Sequence, residues 1–254
     1  MVRVWRLRNL LSCAALAAVF AVLAVGVHFS GAYALFTGGT VRKLPVYSVE
    51  TAEKKLAITF DCAWGTEHTD AILRELERAG VRATFFMVQF WAEKYPEYVK
   101  KIADAGHEIG THSATHSYMS KLSAAAIAAE LESSSAAIEK VTGKEVELFR
   151  APYGDYDDLL IETAAAQGYT TVQWDVDSLD WKDLSASEIA LRVTGGARQG
   201  SIILCHNNGL HTAEALPAVF SALQSAGYTF VPVGELLIRG PSTIDAAGRQ
   251  HPAG

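Results

Sequence analysis

The sequence predicts an α/β fold with a parallel sheet covered by helices, and three observations carry that reading. Short apolar runs alternate with stretches of helical spacing along residues 56–237. Helix after helix stops at a glycine and turns into a strand: Ala79-Gly80-Val81, Ala105-Gly106-His107, Gln167-Gly168-Tyr169 and Ala226-Gly227-Tyr228. Each is the pattern of a left-handed C-cap. The strands are apolar on both faces, as expected when a sheet lies between two layers. A closed barrel and an open doubly wound sheet both satisfy this alternation, and periodicity does not choose between them.

In chain order, the run Leu56-Ala57-Ile58-Thr59-Phe60 is a buried strand, and apolar residues at helical spacing give a helix over 69–79. Strands follow over 83–88, 108–111, 148–150, 170–176, 201–205 and 229–233. The helices between them cover 96–105, 123–142, 156–167, 185–193 and 212–226, the second with an Ala/Ser-rich surface. Residues 35–50 are a Gly/Pro-containing linker without a clear period, 51–238 form a single domain, and 239–254 are a polar tail expected to be flexible.

The chain has 254 residues, 50% hydrophobic and 20% charged, which excludes a disordered tail, a collagen-like fibre and a disulfide-dense miniprotein. Its formal charge is −6, and three basic residues, Arg3, Arg6 and Arg8, sit in a leader without acids, so the body is more acidic still. No nucleic-acid partner is expected of such a body. Three cysteines are too few for a disulfide framework, so packing must hold the fold.

Residues 1–34 read as a membrane anchor or a signal peptide. The uncharged run 10–27 is just long enough to cross about 30 Å of hydrocarbon, with the arginines on the cytoplasmic side. Ala32-Tyr33-Ala34 has the small-x-small pattern of a cleavage site, but the run exceeds the usual signal core, which favours the anchor. Both readings put the body outside the cytoplasm.

In parallel architectures function collects at the C-terminal ends of strands. Polar residues interrupt the apolar pattern at those ends: Asp61 after Phe60, His112 and His116 after Ile109, Arg150 after Phe149, Asp177 after Val176, His206 after Cys205. Taken singly, each has an ordinary reading as a cap, a surface histidine or a structural ion pair. Together they read as one convergent site. His112 and His116 are four residues apart, which puts both imidazoles on one side of a helical turn, where they can share a metal.

Five motifs in order along 59–237 resemble the polysaccharide deacetylase, or carbohydrate esterase, family with NodB-type homology. They are Thr59-Phe60-Asp61-Cys62-Ala63-Trp64-Gly65, His112-Ser113-Ala114-Thr115-His116, Arg150-Ala151-Pro152-Tyr153-Gly154, Asp177-Ser178-Leu179-Asp180-Trp181 and Leu204-Cys205-His206. The first motif and the leader look most like the sporulation-associated branch. The resemblance implies a distorted, incomplete (β/α) barrel of about seven parallel strands, and metal-dependent hydrolysis of N-acetyl groups on a cell-wall glycan, peptidoglycan or chitin-like. It implies a divalent metal, zinc first, with cobalt or manganese as alternatives. By the same resemblance Asp61 is the general base and Arg150 orients it. His112 and His116 bind the metal, and Tyr153 supplies a backbone N–H to the oxyanion. His206 is the general acid with Asp177 as its partner, and Trp181 and Leu204 wall the acetyl pocket.

One position departs from the family pattern. Where the family has a second, metal-binding aspartate, this chain has Cys62. A thiolate is a good zinc ligand, whereas a buried neutral cysteine is a small hydrophobe; the second is the commoner fate. The alternative to an enzyme is therefore a glycan-binding protein that keeps the groove but has lost efficient chemistry. A zinc peptidase is disfavoured because the chain lacks a His-Glu-x-x-His helix.

Overall fold

The computed structural model describes residues 42–253. The expected anchor or signal peptide and the first part of the expected linker lie outside the described residues. The chain opens with β1 (Ser48–Val49) and β2 (Lys55–Cys62), then α1 (Thr69–Ala79), β3 (Thr84–Met87), α2 (Gln89–Lys94), α3 (Pro96–Asp104) and β4 (Glu108–Thr111). It continues through α4 (Ala124–Thr142), β5 (Leu148–Phe149), α5 (Asp158–Ala166), β6 (Thr170–Thr171) and β7 (Val176–Asp177). The last part holds α6 (Ala186–Gly196), β8 (Ile202–His206), α7 (Thr212–Ser225), β9 (Thr229–Phe230), α8 (Val233–Leu236), β10 (Ser242–Ile244) and β11 (Arg249–Pro252).

Local chemistry sets these boundaries. Ser123 caps α4, Asp157 caps α5, and Ser185 with Glu188 forms a reciprocal capping box on α6. The four glycines expected to end helices all adopt left-handed φ.

The strands pair in the order β6-β5-β4-β3-β2-β8-β7, every neighbour parallel. The short strand β9 joins β2 at Lys55 and Leu56. The sheet curls into a half-barrel with helices outside it, an incomplete (β/α) barrel. The sequence reads 170–176 as one strand, but it is two, β6 and β7, at opposite ends of the sheet. Residues 172–175 cross between them, anchored where Gln173 N–H donates to Val46 C=O (2.7 Å) and Asp175 N–H donates to Ile202 C=O (3.2 Å).

The flanks also differ from expectation. In the stretch read as linker, Val46 bridges Val172 and Ser48 bridges Ser201, so this segment plugs the opening beside β6 and β8. Gly200 makes the close approach feasible: it sits at φ 79°, and a Cβ there would fall 1.7 Å from Val49 O. The stretch read as a flexible tail carries β10 and β11, an antiparallel pair whose second strand lies parallel to β1. The missed signal is buried Gln250, whose side chain bonds both the N–H and the C=O of Ile238.

Side-chain alternation along the strands sorts two layers. On β2, Leu56, Ile58, Phe60 and Cys62 face outward into the core beneath the helices, with Phe85, Met87, Ile203 and Cys205. Ala57 faces the barrel interior, with Phe86, Leu148, Val172 and Ile202 in an apolar floor. Gly110 leaves room for the Phe86 ring, which a Cβ would meet at 2.6 Å. Thr59, Asp61, Arg150 and His206 belong to the interior series, above that floor.

Candidate active site

Above the floor, the strand ends open into a cleft of about 500 Å³. Asp61, His112, His116, Tyr153, Asp177, Trp181, Leu204 and His206, all nominated from the sequence, line it. Ala63, Trp64, Trp174 and Asn208 complete the lining and were not nominated. Arg150 lies beneath and is fully buried.

The Arg150 guanidinium spans the barrel interior. Nη1 donates to Asp61 Oδ1 at 2.8 Å and to Thr59 Oγ1 at 2.7 Å, and Nη2 donates to Gln173 C=O at 3.1 Å. The Phe86 ring lies 4.2 Å below the guanidinium carbon. Burial pushes the Asp61 carboxyl up, but Arg150, His112 and His206 outweigh it and hold the group below its ordinary value. Asp61 is therefore a carboxylate, aimed into the cleft.

Residues 112–116 form a loop, not the helical turn that their spacing suggested. Ser113 and His116 take left-handed φ values of 73° and 56°. Glu130, from α4, clamps this loop by accepting from the N–H groups of Ala114 and Thr115 and from the Thr115 hydroxyl, at 2.7–2.9 Å. The two imidazoles still meet, with ring centroids 5.0 Å apart.

His112 Nδ1 donates to Arg150 C=O at 2.7 Å, which fixes the tautomer and leaves the Nε2 lone pair free, 3.5 Å from Asp61 Oδ2. Burial lowers the pKa of His112, and burial with the neighbouring His112 lowers that of His116 to about 4. Both rings are neutral, the state a metal requires.

His206 has a different partner from the one expected. Its Nδ1 donates to Asp180 Oδ1 at 2.7 Å, while Asp180 Oδ2 accepts from the His206 N–H (2.8 Å) and from Thr212 Oγ1 (2.6 Å). Asp177 instead accepts from the Leu179 N–H at 2.8 Å, closing a turn at the end of β7. Leu179 then takes φ 54°, which carries Asp180 under the imidazole. The sequence signal was the second aspartate of the same motif. Burial lowers the His206 pKa, but the Asp180 hydrogen bond and charge prevail and raise it.

Cys62 stands apart from the cleft. It is fully buried on the outward face of β2, packed in the core cluster, and its thiol donates to Phe60 C=O at 3.9 Å. Burial and then Asp61 push its pKa well above the ordinary thiol value. Strand alternation explains this, since Asp61 faces the interior and its neighbour must face the core. Cys62 packs here as a member of the core cluster. Among the described residues, no three His, Cys, Asp or Glu side chains converge as a metal site.

The loop after β2 is held by fully buried Asn207, which donates to Gly65 C=O at 2.9 Å, and by Trp91 Nε1, which donates to the same carbonyl at 2.7 Å. That places Trp64 over the cleft, edge-to-face with His116 and with ring centroids 4.9 Å apart.

The fold and this constellation are those of the polysaccharide deacetylase family, whose model matches residues 48–172. The chain is 36% identical over 196 residues to a peptidoglycan-N-acetylglucosamine deacetylase of Bacillus cereus, covering 75% of this chain and 92% of the relative. It is 34% identical to the uncharacterized protein YlxY of Bacillus subtilis, covering 76% of this chain but only 60% of YlxY. Among solved structures it resembles BA3943 of Bacillus anthracis, described as a CE4 family pseudoenzyme, with a TM-score of 0.74 and 33% identity over 76% of this chain and 69% of the other. A mutant of BA3943 described as having restored enzymatic activity matches equally well, with a TM-score of 0.74. This chain belongs to the polysaccharide deacetylase family.

Proposed function

We propose that the protein hydrolyses N-acetyl groups on a cell-wall glycan of the peptidoglycan type. The observation that carries this reading is the pairing, in one aromatic-walled cleft, of an ionised carboxylate held by Arg150 with a histidine whose Nδ1 is bonded to a buried aspartate and whose pKa is raised by it. Asp61, held by Arg150, takes a proton from the attacking water. The acetyl C–N bond breaks as the water oxygen bonds to the carbonyl carbon, and His206 gives its proton to the leaving amine. Acetate and a free amino sugar result. Asp180 favours the charged form of His206 for that step. Tyr153, which lines the cleft at a left-handed φ of 60°, would give its backbone N–H to the oxyanion.

The donor chemistry fits a divalent ion through two ligands: both imidazoles are neutral, and His116 Nδ1 is buried without a partner. A bound ion, zinc first with cobalt or manganese as alternatives, would lower the pKa of water and polarise the acetyl carbonyl. The position of Cys62 in the core and the likeness to BA3943 favour a second reading, a glycan-binding protein with little turnover. We also infer an extracytoplasmic site of action, anchored through residues 1–34, and a role in sporulation. The basic-flanked apolar run supports the first, and the form of the first motif supports the second.

Acetate release from peptidoglycan and from chitin oligomers, with and without added zinc, tests the reading. Release that disappears in Asp61→Asn supports it. Binding without release, at any divalent ion, gives the second reading, and Cys62→Asp then shows whether a restored carboxylate brings metal and activity with it.

A further inference from the structure

The aromatic wall of the cleft continues beyond the residues that line it. Tyr153 puts its ring edge on His116 with centroids 4.6 Å apart. Tyr118, outside the lining, lies flat on Tyr153, centroids 4.3 Å apart and planes at 17°. Both tyrosines are 56% exposed, so neither is there to fill the core.

Local wiring fixes the stack. Ser120, two residues after Tyr118, donates from its N–H and its hydroxyl to the two carboxylate oxygens of Asp155, at 3.0 and 2.9 Å. Asp155 itself lies two residues after Tyr153. The Ser120–Asp155 clamp therefore ties together the two loops that carry the rings. Met119 is buried beneath and pins the loop between them. The rings are preorganised before any ligand arrives, which removes an ordering cost from binding. At the other end of the sheet, Trp181 is also exposed, but Lys182 Nζ sits 4.8 Å over its ring.

We propose that the Tyr118–Tyr153 stack is a platform for a pyranose ring of the glycan, next to the sugar whose acetyl group reacts. The inference rests on the deacetylase reading and names what it leaves open, a preference for polymer over single sugar. A pyranose in its chair form presents a flat face of C–H groups, which packs on an exposed aromatic face and releases water from both. Tyr118 is the specificity-determining member, and Ser120 and Asp155 are positioning residues.

The test uses the full chain and β-1,4-linked N-acetylglucosamine oligomers, from disaccharide to hexasaccharide, together with peptidoglycan strands freed of peptide. Affinity is measured by calorimetry for the parent, Tyr118→Ala, Tyr118→Phe and Ser120→Ala. The parent should bind more tightly as the oligomer lengthens. The loss in Tyr118→Ala should grow with length to about tenfold. Tyr118→Phe should follow the parent, since the ring face is kept, and Ser120→Ala should fall between. Parent and Tyr118→Ala curves that coincide at every length overturn the platform, as does an equal loss at every length. If the parent neither binds these glycans nor releases acetate from them, the deacetylase reading itself falls and the platform with it.

Discussion

At His206 two effects oppose: burial drives the proton off, and the Asp180 carboxylate brings it back and prevails. A general acid must hold its proton, so activity should fall as pH rises through the raised His206 pKa. Asp180→Asn removes the charge and lowers that pKa. The alkaline limb of the pH–rate profile should then move to lower pH, with kcat reduced on the order of 10²-fold. An unchanged limb would mean that His206 is not the acid. Cys62 gives a contrasting prediction, because its thiol faces Phe60 and the helices. Cys62→Ala should leave metal content unchanged and cost about 1 kcal/mol of stability in denaturant unfolding.

Among the elements, the sheet β1-β11-β10 has its own electrostatic latch. His251 Nδ1 lies 2.8 Å from Glu50 Oε2, and Nε2 lies 2.9 Å from Asp245 Oδ2. Only a protonated ring donates to both. The bonds to Asp245 and then Glu50 raise its pKa above the ordinary 6.5. The stabilisation by His251 is complete below that value and fades as pH climbs through the folded pKa; on the acid side the contribution of Asp245, lowered to about 2, is lost as pH falls from the ordinary 3.8 through that value. The melting temperature should therefore decline as pH rises from the ordinary 6.5 through the raised value, and His251→Gln should flatten that decline.

This sheet was the least legible part of the sequence. Its strands are polar, short and paired across the whole length of the domain, so no local period announces them. The helices with apolar spacing and glycine stops were legible because their signals lie within one turn. At the cleft the same division holds. Asp61, His112 and His206 could be read as polar residues breaking an apolar strand pattern. The choice of Asp180 over Asp177 depends on the left-handed turn at Leu179, which that pattern does not report.

For the molecule as a whole, β11 matters because β1 leans on it and the segment containing β1 plugs the opening beside β6 and β8. Removing 239–254 should loosen that plug as well as the hairpin. A loss of about 2 kcal/mol lowers Tm by about 4–8 °C in a domain of this size. Thermal melts of the truncated and full chains measure it, and hydrogen exchange at Val46 and Gln173 should speed up in the truncated form. Identical melts would show that the plug holds by itself.

The two-faced alternation of β2 and β8 also makes the protein sensitive to reading length as well as to residue identity. Delete one residue early in β2 and every later side chain changes face: Cys62 turns toward the sugar and Asp61 toward the oily layer. The same deletion in β8 exchanges Cys205 for His206. A deletion scan should thus find both strands wholly intolerant, with no insoluble-to-soluble rescue by compensating point changes.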